Sequence, residues 1–147
     1  MGKNDIFILG YILYTIVPFM YGQSDGYVDS PLTYQDIQKI DARSISSQDK
    51  HYLRLLAHAL FTLQSVANTL ELSDCKQLPN KEKCLEWLIL KRGFNKEDSF
   101  VAVFLEQLDT AAKQLEVLGK HYLVSPLELS LDQLIDFVEM EAPKVRT

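Results

Sequence analysis

The sequence predicts an all-α fold, a small antiparallel helical bundle of about four to five helices preceded by an apolar N-terminal segment. The main observation is the stretch 49–72, where apolar residues recur at steps of three and four: Leu53, Leu56, Leu60, Leu63, Ala67 and Leu70. That spacing places them on one face of an α-helix. The 147 residues include only 6 Gly and 5 Pro, which argues against a turn-rich sandwich or barrel.

Composition indicates a folded domain and excludes one class of partner. Hydrophobic residues make up 47% and charged residues 24% of the chain, as in ordinary globular proteins. The length is that of a single domain with a substantial core. The protein is acidic, with a net charge of −5 and no basic run, so we do not expect it to bind nucleic acid, which requires Lys and Arg at the phosphates.

The N-terminal segment divides the chain into 1–24 and a helical domain at 25–147. Residues 6–22 carry no charged side chain. A secretory signal peptide, an uncleaved membrane anchor and a buried element of the fold all remain open interpretations. Lys3 before the segment and the small residues Gly22 and Ser24 after it favour a signal peptide. Only this segment would bring the protein to a membrane.

The first two helices are predicted from their starts. Ser30 precedes a proline, the arrangement of an N-cap followed by the first helical residue, and predicts a short helix over 31–41. Ser46 or Ser47 is placed to cap the long helix 49–72, since a side-chain oxygen there accepts from an orphan backbone N–H.

The third predicted helix covers 81–91. Leu78 comes directly before a proline and so disfavours helix, whereas Asn80 is a suitable N-cap. Gly93 suits the left-handed position that ends many helices.

Two more helices complete the bundle. The fourth covers 97–118 or continues to Tyr122, and it offers the longest seam for the helix 49–72. Ser130 followed by Gln133 forms a capping-box pattern that opens the last helix, 131–141.

The oxidation state of the two cysteines depends on the compartment in which the protein resides. In an exported protein we expect Cys75 and Cys84 to form a disulfide, and in a cytosolic protein to be free thiols. Closing so short a loop would contribute roughly 2–3 kcal/mol in the chain-entropy picture.

No pattern indicates catalysis, a cofactor or a metal site. His51 and His58 lie seven positions apart, about 10 Å by helical rise, too far to share one ion. The cysteine and histidine spacings do not fit structural zinc, and no glycine-rich loop precedes a helix. The sequence therefore predicts a non-enzymatic protein without catalytic, cofactor-binding or metal-binding residues.

Two groups of residues are candidates for a protein interface. The helix 81–91 is apolar on every side near Trp87, and a peripheral helix of a monomer would not need that. Core packing is the alternative explanation for its aromatic residues. The last helix carries an acidic edge at helical spacing. The candidate interface residues are Trp87, Leu90, Phe94, Asp132, Asp136 and Glu139.

Three functional hypotheses follow. The first is a helical protein-binding domain of the inhibitor, immunity or adaptor type, which is exported or periplasmic and includes membrane-anchored forms. The second is a cytoplasmic helical subunit of a larger assembly, with the N-terminal segment buried. The third is an enzyme whose site leaves no local pattern. The first is the main prediction, with another protein or a second copy of the chain as partner.

Overall fold

The chain folds into a bundle of α-helices, as predicted. A computed structural model describes residues 32–72, 77–95, 97 and 99–142. The helices in this part are α1 (Tyr34–Asp41), α2 (Ser47–Thr69), α3 (Lys81–Arg92), α4 (Ser99–Tyr122) and α5 (Leu131–Glu141). A single 3₁₀ turn, Pro126–Glu128, joins the last two, and no strand occurs among the described residues.

Side-chain caps start three of the helices where the sequence placed them. The Ser46 hydroxyl accepts from the Asp49 backbone N–H at 3.0 Å, and Asn80 Oδ1 accepts from Lys83 N–H at 2.9 Å. Ser130 and Gln133 form the reciprocal capping box. Each bond satisfies a backbone donor that has no partner within its helix.

Two predicted boundaries differ from the observed ones by three residues, and the others by two at most. Helix α1 begins at Tyr34 rather than at 31, because Thr33 and Asp36 form a capping box of their own. Helix α2 ends at Thr69 rather than 72, because Glu71 adopts a left-handed backbone with φ of 49° that a continuing helix cannot accommodate.

Helix α2 is the centre of the bundle. It packs against α1, α3, α4, α5 and the 3₁₀ turn. The predicted stripe from Leu53 to Ala67 is buried, and so are residues off that stripe, such as Leu55, Ala59 and Val66. A helix surrounded on several sides buries more than the single face that an amphipathic pattern describes.

The other helices are arranged around α2. Helix α2 packs most extensively against α4, as predicted. Helix α3 packs against α4, with Gly93 at the C-terminal end of α3 and an ion pair between Lys81, the first residue of α3, and Glu106 of α4. Gln64 of α2 donates from Nε2 to the Leu127 carbonyl at 2.9 Å, which fixes the 3₁₀ turn to the central helix.

Several predictions concern residues outside the described part. The predictions for 1–24 and for the N-cap at Ser30 fall there, and so does Cys75. Among the described helices, none combines the length and the apolar character needed to cross a lipid bilayer.

Candidate protein-binding surfaces

The predicted interface on α3 is divided between core and surface. The Trp87 side chain is only 3% exposed and packs in the core, so its indole is not presented to a partner. Phe94 is partly buried against the same core. Leu90 is 67% and Ile89 44% exposed, which leaves a small apolar outer face on this helix.

The predicted acidic edge of α5 faces basic residues of α1. Asp132 forms an ion pair with Lys39, and Glu139 forms one with Arg43. Asp136, between them, is exposed. Two of the three carboxylates therefore have intramolecular cations, which reduces the field that a basic partner would meet. Such exposed pairs are worth at most about 1 kcal/mol each.

The Cys84 thiol lies in the core. Burial and, to a smaller extent, the negative charge of the Asp109 carboxylate together raise its pKa to about 12. A thiol in this setting is a poor nucleophile, because the thiolate is the reactive form. The disulfide with Cys75 stays a prediction, since Cys75 lies outside the described residues.

Both histidines of α2 are partly buried. Burial lowers the pKa of His58 to about 4, and its Nδ1 atom has no hydrogen-bond partner within the described part of the chain. Burial and the neighbouring Arg54 also lower the pKa of His51. Across residues 32–72, 77–95, 97 and 99–142, no three His, Cys, Asp or Glu side chains are grouped to hold a metal ion.

A cleft that the sequence did not indicate lies at the C-terminal end of α4. Its volume is about 540 Å³, which is within the size range of ligand-binding pockets. The lining combines apolar residues of the connecting loops with exposed polar residues of α4: Gln77, Leu78, Glu116, Gly119, Lys120, Leu123, Val124 and Pro126.

The end of α4 shapes this cleft. Leu123 adopts a left-handed backbone with φ of 57°. The Val124 N–H donates to the Gly119 carbonyl at 3.0 Å, and the Leu123 N–H donates to the Lys120 carbonyl at 3.4 Å. These two bonds form a Schellman motif, in which the left-handed residue is usually glycine.

Gly119 allows the chain to turn back this closely. A Cβ atom at position 119 would lie 2.9 Å from the Val124 carbonyl oxygen and 3.3 Å from Cγ of Pro126. Any side chain there would push the 124–126 segment away from the helix.

The rim of the cleft includes an exposed apolar side chain. The Leu123 side chain is 91% exposed, although its backbone conformation is one that residues with a Cβ adopt at a cost. Val117 of α4 is also exposed, by 51%, but it is not one of the residues that line the cleft. Exposed apolar side chains beside a cleft are typical of a protein-binding surface.

These features define an all-α protein with two small apolar surfaces and buried, separately placed titratable groups. A family described as NDH complex assembly factor CRR9 matches residues 32–144. The match covers all five helices, and the chain belongs to this family. No curated protein and no solved structure shows significant similarity to the sequence.

The family match corrects the main functional hypothesis. A role in assembling the NDH complex fits the second hypothesis, a helical protein that acts within a larger assembly, better than an exported inhibitor or immunity protein. The prediction of an exported or periplasmic location is wrong, because the family serves the assembly of that complex. Interaction with other proteins, the coarser part of the partner prediction, agrees with this role.

Proposed function

We propose that this protein is a non-enzymatic assembly factor that binds a subunit or an assembly intermediate of the NDH complex. The family match over residues 32–144 carries this proposal, because it includes the whole described bundle rather than one helix. An assembly factor acts by holding a partner's surface before that surface reaches its final neighbours. The exposed apolar residues on α3 and α4 are suited to such contacts.

The titratable groups also favour binding over catalysis. Catalytic groups have pKa values shifted by specific charged neighbours within a cleft. Burial alone lowers the pKa of His58, and burial is the larger cause for Cys84. Among the α5 carboxylates, Asp132 and Glu139 form ion pairs on the surface. None of these groups belongs to the residues that line the α4 cleft.

Deletion of the gene tests the proposal. We expect the deletion strain to lose most of its assembled NDH complex, measured by native gel electrophoresis with antibodies against two subunits. Reintroduction of the full-length chain should restore the complex. The tagged full-length chain should also migrate with incomplete NDH assemblies. Normal levels of the complex in the deletion strain would refute the proposal.

A further inference from the structure

We propose that the cleft at the end of α4 binds a short segment of an NDH-complex protein, and that this segment inserts an apolar side chain flanked by one basic and one acidic residue. This inference rests on the proposed function and names the surface and the chemistry of the partner. Leu90 on the outer face of α3 is also exposed, but it does not line this cleft.

The size and lining of the cleft determine what it accommodates. A volume of about 540 Å³ suits a few side chains rather than a whole helix. Leu78, Val124 and Pro126 supply apolar walls, and each is partly exposed. An apolar side chain that entered between these walls would remove both surfaces from water.

Leu123 is the residue best placed to contact such a segment. At the left-handed position of a Schellman motif glycine has no steric penalty, whereas leucine does. The leucine side chain gains almost nothing from the described part of the chain, because 91% of it is exposed there. Covering this side chain with a partner's apolar surface would therefore be favourable.

The end of α2 offers a direct comparison. Glu71 occupies the same left-handed position in a second Schellman motif, where the Leu72 N–H donates to the Ala67 carbonyl at 3.1 Å. Glu71 is exposed, as a charged residue at a helix end is expected to be, and it does not line the cleft. The two positions therefore share a backbone geometry and differ in the side chain presented to solvent.

Charge complementarity fixes the order of the flanking residues. Glu116 and Lys120 line the cleft from one face of α4, one turn apart, and both are exposed. A bound segment places its basic residue toward Glu116 and its acidic residue toward Lys120. The reverse order would bring like charges together, which is strongly unfavourable at an interface.

A pair of glycine substitutions tests the role of Leu123. The deletion strain receives a tagged wild-type chain or the tagged variant Leu123→Gly or Glu71→Gly. Two quantities are then measured: the level of assembled NDH complex and the amount of NDH subunits that co-isolate with the tagged chain. We expect Leu123→Gly to lower the co-isolated subunits by about tenfold, the order expected when a buried leucine contact is lost. Glu71→Gly should match the wild type. Thermal melts of both variants check that each is folded.

Photocrosslinking in cells identifies the partner segment. Benzoylphenylalanine replaces Leu123 in one strain and Leu90 in another, and crosslinked peptides are sequenced by mass spectrometry. We expect position 123 to crosslink to an NDH-complex protein at an apolar residue flanked by opposite charges. Glu116→Lys and Lys120→Glu should each reduce this crosslink, and the double exchange should not restore it.

The outcomes separate the two proposals. If the deletion strain keeps its NDH complex, the proposed function fails and the partner assigned to the cleft fails with it. If the deletion abolishes the complex and Leu123→Gly supports wild-type levels, only the docking site is overturned. Crosslinks from position 90 but not 123, or crosslinks to a membrane lipid, would also overturn it.

Discussion

Replacement of Leu123 by glycine is expected to stabilise the isolated protein while it weakens binding. Leu123 has φ of 57° and ends α4. A left-handed conformation brings the Cβ atom of an L-residue close to the following carbonyl oxygen. Glycine has no such contact and is the usual residue at this position. The substitution therefore relieves steric strain without changing the hydrogen bonds of the turn.

The size of the effect follows from three contributions. Relief of the left-handed conformation is worth about 1–2 kcal/mol. The greater freedom of glycine in the unfolded chain offsets about 0.5–1 kcal/mol of this gain. Loss of the small buried fraction of a side chain that is 91% exposed removes at most about 0.3 kcal/mol. The midpoints of these three ranges give a net gain of about 0.5 kcal/mol, or about 1–2 °C in Tm for a domain of this size.

Circular dichroism melts and urea titrations of the full chain measure this gain. Glu71→Gly is the matched control, because it makes the same backbone change at the end of α2 and should also raise Tm. Leu123→Ala keeps a Cβ atom and should not raise Tm. A lower Tm for Leu123→Gly would refute the argument that Leu123 is retained against the preference of its backbone. An equal rise in the Tm of Leu123→Ala would show that the strain does not come from the Cβ atom at this left-handed position.

Three further predictions test the core and its titratable groups. Leu60→Ala should lower the free energy of unfolding by about 2–5 kcal/mol in urea titrations, because Leu60 is completely buried, and a change below 1 kcal/mol would contradict this packing. His58 has a pKa of about 4 in the folded protein, against 6.5 for an unperturbed histidine. As the pH falls from 6.5 to 4, only the unfolded chain binds a proton at this residue. The free energy of unfolding should therefore decline by up to about 3 kcal/mol over this range. His58→Gln should flatten this decline relative to wild type, with His121→Gln as an exposed control; equal slopes would be evidence against the shift. After reduction, Cys84 should resist iodoacetamide at pH 8 until urea is added, measured by the mass of its tryptic peptide, and rapid native alkylation would contradict its burial.

Local sequence determined most of the helices. Side-chain caps such as Asn80 and Ser130 act through neighbours three residues away, so their effect can be predicted without a fold. The boundaries that were wrong involve competing local options. Thr33 caps α1, because Asp36 completes a capping box with it. The C-terminal end of α2 was predicted too late in the chain, because the left-handed conformation of Glu71 was not recognisable from the sequence.

Interface residues were harder to predict, because exposure depends on which helices become neighbours. Trp87 and Leu90 lie three positions apart on α3, yet one is buried and the other is mostly exposed. The carboxylates of Asp132 and Glu139 formed an acidic edge in the sequence, and the packing of α1 supplied their cations. A sequence pattern shows which residues share a face but not what lies opposite that face.

The sequence by itself determined an all-α protein, its central helix and the caps of most helices, because periodicity and capping are local properties. Only the tertiary structure decided that α2 is enclosed on several sides and that Leu123 is exposed on the rim of a cleft. The cleft brings Leu78 together with Glu116 and Pro126, which come from different parts of the chain. Such a juxtaposition arises from packing between elements, and no local pattern encodes it.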